Sequence, residues 1–146
     1  EKIGVTGILF DEVNKKYFFL LLHRKLNWSG WEFVKGGIEP SEDSKQAVLR
    51  EIKEETGLEN VRLLCKVAGP IEWKSKDTKY TYDIFLLKAN KNDKIFLALD
   101  IVEHDDFEWV KQERVEQMLT HNDNKVVFKK AILWLKEYGK SGSNSG

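Results

Sequence analysis

One segment restricts the fold of this chain more than any other: "DSKQAVLREIKEETGL", Asp43 to Leu58. Asp43 has the side chain of an N-cap, Gln46 stands three residues later as its capping-box partner, and Gly57 lies just past the last helical position. A helix marked at both ends by its own residues divides the chain into two β-rich halves. Before it come "IGVTGILF" (Ile3 to Phe10) and "KYFFLLLHR" (Lys16 to Arg24), joined by a turn-like stretch as a hairpin, then the short "WEFV" (Trp31 to Val34). After it come strand candidates Val61 to Gly69, Tyr80 to Ala89, Lys94 to Leu99 and Asp106 to Val110. Two helices close the chain, near Lys111–Leu119 and Lys125–Tyr138, the second with Val127, Ala131, Trp134, Leu135 and Tyr138 at helical spacing. This order predicts an α/β domain, a mixed sheet with helices on its faces, over residues 1–140. Residues 141–146, "SGSNSG", have linker composition and are expected to be a flexible tail.

The charge balance narrows the function. The 146 residues carry 24 basic and 24 acidic side chains, which argues against a general nucleic-acid binder while leaving room for a local basic rim. A lone cysteine, Cys65, excludes an internal disulfide, suits a reducing, cytoplasmic setting and reads as core packing. No apolar run approaches the roughly 20 residues a membrane helix needs, and no signal peptide is visible. A start at Glu1 without methionine suggests a processed or trimmed end. The expected partners are small molecules, and the expected assembly is a monomer or homodimer.

The helix itself poses an electrostatic problem. At about 100° per residue with Glu51 at zero, Glu55 falls near 40° and Glu54 near −60°, so three carboxylates share one arc. Val48, Leu49, Ile52 and Thr56 fall on the adjoining arc as the core stripe. Two readings compete: a solvated acidic face tempered by Arg50 and Lys53, or a site for a hard cation, Mg²⁺ or Mn²⁺. Gly36 and Gly37 just upstream permit close backbone approach, and Lys35 offers a cation to a phosphate oxygen. Together they favour a site for cleaving a phosphoanhydride.

Here the sequence resembles a known family. Gly36, Glu42, Arg50, Glu51, Ile52, Glu54, Glu55, Gly57 and Leu58 match the Nudix box at every fixed position. The resemblance implies the Nudix fold, an α/β/α sandwich around a mixed sheet, and hydrolysis of nucleoside diphosphates linked to another group. It implies that Glu51, Glu54 and Glu55 bind the divalent metal, with the Gly36 carbonyl as a further ligand. Arg50 would orient a box glutamate by a salt bridge, and Glu42 would support the loop and helix. The metal would neutralise phosphate charge and acidify a water, with Glu54 or a carboxylate outside the box as proton acceptor.

Residues beyond the box resemble the dinucleoside-tetraphosphate hydrolases of that family. Glu103, His104, Phe107 and Trp109 match a Glu-His-any-any-aromatic-any-Trp segment, which makes Glu103 a candidate metal ligand or base and His104 either a substrate contact or a polar loop residue. "WEFVKGG" keeps the subgroup's lysine and glycine but has Val34 for its proline and Gly37 for its histidine. On the strand "KYTYDIFLL", Tyr80 and Tyr82 share a face and are candidates to stack on adenine. Arg24 and Lys79 are candidate phosphate contacts, whereas Trp28 and Trp134 read as packing. The expected activity is Mg²⁺- or Mn²⁺-dependent hydrolysis of diadenosine tetraphosphate to ATP and AMP. Its rivals are ADP-ribose or nucleotide-sugar hydrolysis, RNA 5′ pyrophosphate removal or decapping, diphosphoinositol polyphosphate hydrolysis, sanitation of oxidised nucleotides, and a Nudix binding module without catalysis.

Overall fold

The computed structural model describes residues 1–98 and 102–144. Its elements run β1 (Lys2–Val13), β2 (Lys16–Arg24), β3 (Gly30–Glu32), β4 (Val34–Gly37), α1 (Ser44–Thr56), β5 (Arg62–Ser75), β6 (Thr78–Lys88), β7 (His104–Lys111), α2 (Gln112–Met118) and α3 (Asn122–Asn144). The strands form one sheet in the order β3-β2-β1-β6-β5, with β4 added on β1 and β7 on β2. Among these strands β1 and β6 run parallel, in register from Lys2 opposite Tyr80 to Phe10 opposite Lys88, and the other pairs are antiparallel. The β1–β2 turn forms because Asn14 and Lys15 both take positive φ, 52° and 66°, the twist that a two-residue hairpin needs.

Period-two patterning on β1, β2 and β6 separates the two cores. Val5, Leu9, Leu20, Leu22, Phe85 and Leu87 pack with Ala47, Val48 and Ile52 of α1. Ile8, Phe10, Phe19, Leu21, Ile84 and Leu86 face the other way, onto Val115 of α2 and Val127, Phe128, Ala131 and Leu135 of α3. A mixed sheet with helices on both faces results, the α/β/α sandwich that the sequence led us to expect.

Helix α1 begins and ends as its sequence predicts. Asp43 accepts from the Gln46 backbone N–H at 2.8 Å, the Gln46 side chain accepts from Asp43 N–H at 2.9 Å, and Gly57 closes the helix at φ 77°. Its buried side differs from the predicted stripe: Ala47, Val48, Ile52, Glu55 and Thr56 are buried, whereas Leu49 is 42% exposed. The buried arc is therefore centred about 60° from Glu51, closer to the carboxylates, and Glu55 lies in its middle. That rotation turns a surface glutamate into an interior one.

Other boundaries also move. Residues 31–34 do not make one strand: Trp31 pairs with His23 and Val34 with Gly7, so the chain changes partner at Phe33. Strand β5 continues past Gly69 to Ser75, because Gly69 at φ 78° sits in an irregularity between Val67 and Ile71 that the ladder spans. Lys94 to Ala98 are not a strand, and Leu99 lies outside the described residues. Instead Phe96 N–H bonds the Thr56 carbonyl at the end of α1, and Ile95 and Leu97 pack on the α1-side core. Strand β7 starts at His104, two residues before the expected Asp106. Helix α3 carries on through residues 141–144, where linker composition predicts a flexible tail; 145–146 are outside the described residues.

Candidate active site

The site forms where β4 runs into the loop before α1. Gly36 is opposite Val5 and Gly37 opposite Gly4 on β1, which fixes the loop's starting point. The Glu51 carboxylate occupies the space that a side chain at position 36 would fill, so glycine there lets Glu51 take that position. From the other side, Arg50 binds the loop to the helix. Its guanidinium donates to Glu42 at 2.6, 3.0 and 3.2 Å, to the Gly37 carbonyl at 2.9 Å, to Glu51 at 2.9 Å and to Glu54 at 3.2 Å. Glu42 in turn accepts from the Glu39 N–H at 2.9 Å. Lys35 Nζ lies 3.4 Å from Glu32 Oε1, and Gly37 is occupied through its carbonyl by Arg50.

The three box carboxylates meet different environments. Glu54 is 57% exposed. Glu51 is mostly covered, and burial lifts its carboxyl above the ordinary value, with Glu55 and Arg50 offsetting only part. Glu55 is 5% exposed, and neither of its oxygens has a hydrogen-bond partner among the described residues. Burial first, then the charges of Glu103, Glu51 and Glu32, pushes Glu55 well above the ordinary range. An interior carboxylate with no donor and three acidic neighbours is destabilising by itself. A divalent cation would supply the missing positive charge, so the donor set fits such an ion. Glu103, with its backbone carbonyl fixed by Lys25 N–H at 3.0 Å, brings a carboxylate to the same space. One donor atom each from Glu55, Glu103 and His104 lies within 4.8 Å of the others.

Beneath this group lies a residue that the sequence did not reveal. Glu32 is fully buried and accepts from Arg24 Nη1 at 3.0 Å, while His104 Nε2 stands 2.7 Å from its Oε2. Burial raises the Glu32 carboxyl, but His104, Lys35 and Arg24 together outweigh that and hold it below the usual value. A glutamate inside a β run has no local signal of importance; its partners stand at positions 24, 35 and 104.

These contacts correct two expectations. Arg24, the candidate phosphate contact, has its guanidinium taken up by the protein's own acceptors: the Leu26 carbonyl at 2.9 Å, Glu32 and, at 2.7 Å, Glu103. His104 is neither a loop residue nor a surface contact for substrate, since it opens β7 and is 5% exposed against Glu32 and Glu55. Burial selects it for the interior network.

The aromatic wall is also rearranged. Tyr80 stacks on Trp73 of β5 at 5.1 Å and 6°, so one face of its ring is already covered. Tyr82 lies over Gly4, where a Cβ would meet its ring, and tilts onto Trp73 at 4.9 Å. Trp73 joins Thr6, Trp28, Lys35, Lys74 and His121 around a cavity of about 370 Å³, and Lys35 Nζ sits 5.8 Å from its ring centre. Trp28, read from sequence as packing, thus lines the cavity, with Arg24 5.7 Å above its ring. Lys79 does not: it is on the β5–β6 hairpin, near Glu72 and Glu1. Trp73 escapes a sequence reading because it lies beyond Gly69, where glycine predicts the end of the strand.

The chain is similar to proteins of one family. The NUDIX domain family model matches residues 1–131. An RNA pyrophosphohydrolase of a Nitratiruptor species is 29% identical over 144 residues, 90% of each chain. An RNA pyrophosphohydrolase of Campylobacter jejuni subsp. doylei is 30% identical over 121 residues, 75% of each chain. Among solved structures, the fold is similar to that of a C. elegans Ap4A hydrolase in a binary complex, with a TM-score of 0.82 at 23% identity, over 94% of this chain and 99% of that one.

Proposed function

Since the chain belongs to the NUDIX domain family and is a Nudix hydrolase, we propose that it cleaves a phosphoanhydride of a nucleoside polyphosphate, with diadenosine tetraphosphate as preferred substrate and ATP and AMP as products. The observation that carries this reading is the position of Lys35, which belongs both to the edge of the carboxylate cluster and to the Trp73 cavity. A polyphosphate that crosses Lys35 has acidic residues at one end and an aromatic surface for a base at the other.

Glu51, Glu54, Glu55 and Glu103, with the Gly36 carbonyl, are the groups that would hold a divalent cation, Mg²⁺ or Mn²⁺. When bound, the cation neutralises phosphate charge and acidifies the attacking water. The protein's own contributions are separate. Arg50 holds Glu51 and Glu54 in place. Lys35 attracts a phosphate oxygen, and the half-buried Trp73 ring in the cavity wall receives a base. Glu54, exposed and with one oxygen outside the Arg50 contact, accepts the proton from water. For Glu54→Gln, turnover is expected to fall by roughly 10²–10⁴-fold with the melting temperature maintained; a fully active variant removes Glu54 from this role.

A second reading is removal of pyrophosphate from RNA 5′ ends, suggested by the names of the two bacterial relatives. The balance of 24 basic against 24 acidic residues favours the smaller substrate. Measured kcat/KM with Mg²⁺ on diadenosine tetraphosphate, 5′-triphosphorylated RNA, ADP-ribose and a diphosphoinositol phosphate decides between them. Diadenosine tetraphosphate is expected to lead; a lead for RNA or ADP-ribose overturns the substrate assignment.

A further inference from the structure

The two ring nitrogens of His104 meet unlike surroundings. Nε2 is 2.7 Å from Glu32 Oε2, a short charge-assisted hydrogen bond. Nδ1 faces Glu55 Oε1 at 3.5 Å, too far for a good N–H···O bond. Because Glu32 is buried and already accepts from Arg24, it is held as an acceptor and fixes the histidine proton on Nε2. The Nδ1 lone pair then points at the Glu55 carboxyl, into the group of donor atoms formed by Glu55, Glu103 and His104. Neither Glu55 oxygen has a hydrogen-bond partner among the described residues.

We propose that His104 is a direct ligand of the site's cation through Nδ1, joining Glu55 and Glu103 in a donor set that selects Mn²⁺ or another first-row transition ion over Mg²⁺. The inference rests on reading the carboxylate cluster as the cation site and adds a nitrogen to it. The 3.5 Å separation is within about 0.5 Å of the roughly 3.0 Å that adjacent octahedral donors would keep around one ion, so a small side-chain shift would bring both onto it. The Glu32–His104 bond is the outer contact by which metal-binding histidines are usually oriented, a carboxylate accepting from the far ring nitrogen. Burial completes the argument, since at 5% exposure His104 leaves little room for water to take its place. Imidazole suits first-row transition ions, with affinity rising from Mn²⁺ towards Ni²⁺ and Cu²⁺ and high for Zn²⁺, whereas Mg²⁺ favours oxygen donors and keeps its waters.

The test is pulsed electron paramagnetic resonance of the metal-stripped protein loaded with MnCl₂, with Mn²⁺ and Mg²⁺ dissociation constants measured beside it. Coupling to one directly bound imidazole nitrogen is expected in the wild type and not in His104→Gln. Mn²⁺ affinity is expected to fall about 10–100-fold in that variant, with Mg²⁺ affinity changing much less. His23 and His121 remain in the variant, so the lost coupling identifies His104. Wild-type protein that binds Mn²⁺ without nitrogen coupling overturns the ligand and leaves the carboxylate site standing. Failure to bind Mn²⁺ at all overturns both.

Discussion

The Glu51 carboxylate lies over the Cα of Gly36, in the space where any other residue would carry its Cβ. A strand end and a helix face thus meet at one carboxyl group. Gly36→Ala is expected to push Glu51 aside without unfolding the sheet, because the obstructed atoms belong to the end of a flexible side chain. Displacement of about 1 Å costs on the order of 10²-fold in rate. Steady-state kinetics with circular dichroism check this; an alanine variant with wild-type kcat removes the steric argument.

Arg50 makes its contacts with a planar fork, which lysine cannot reproduce. Arg50→Lys retains the charge but releases Glu42 or the Gly37 carbonyl, loosening the loop against α1. We expect kcat/KM to fall by about 10–100-fold, as for other groups that orient metal ligands. Glu42→Gln, which weakens the same clamp from the loop side, is expected to give a smaller loss in the same direction.

Stability without metal is expected to fall as pH rises. Glu55 has its carboxyl raised in the folded protein, mainly by burial, so its contribution is fully present below the ordinary carboxylate value and is lost as pH climbs through the raised one. In EDTA, Glu55→Gln is therefore expected to match the wild type near pH 4.5 and to melt above it at pH 8, by roughly 2–4 °C for each kcal/mol of relieved repulsion. Adding Mn²⁺ or Mg²⁺ at pH 8 should raise the wild-type melting temperature more than that of the variant. Parallel melting curves at both pH values would contradict this.

In the proposed function, Trp73 would receive the base. Stacking on an aromatic ring is worth about 1–3 kcal/mol per base, so Trp73→Ala is expected to raise KM roughly tenfold while kcat changes little. Lys79→Ala, out on the hairpin, is expected to leave KM unchanged. A larger effect from Lys79 than from Trp73 would relocate the base site.

The features that could be read from the sequence were those with local causes. The bounds of α1 follow from Asp43, Gln46 and Gly57, all within or next to the helix, and the period-two strands carry their own two-sided burial. The box residues were legible because they are concentrated in one short stretch. What could not be read depended on distant neighbours. Glu55 is interior because β7 brings Glu103 and His104 against α1, and no helical periodicity encodes that. Arg24 looks free to meet a phosphate in the sequence because Glu32 and Glu103 adjoin it only in three dimensions. Lys94 to Ala98 have strand-like residues, yet Phe96 caps α1, and tertiary packing overrides propensity.

The parallel pairing of β1 with β6 has a consequence for the order of assembly. Lys2 faces Tyr80 and Phe10 faces Lys88, so one edge of β1 waits for residues synthesised much later. The other edge supports β4, and with it Gly36. Such distant pairing is slow to close, and the structures that depend on it form together. A chain halted at residue 77 would contain the whole glutamate box, with β4 and its partner β1, but would lack β6 along the other edge of β1 and the donors Glu103 and His104. Such a fragment is expected to bind Mn²⁺ no better than an unfolded acidic peptide, which equilibrium dialysis can measure. Competence for metal would then arrive late in synthesis, as a property of the closed sheet.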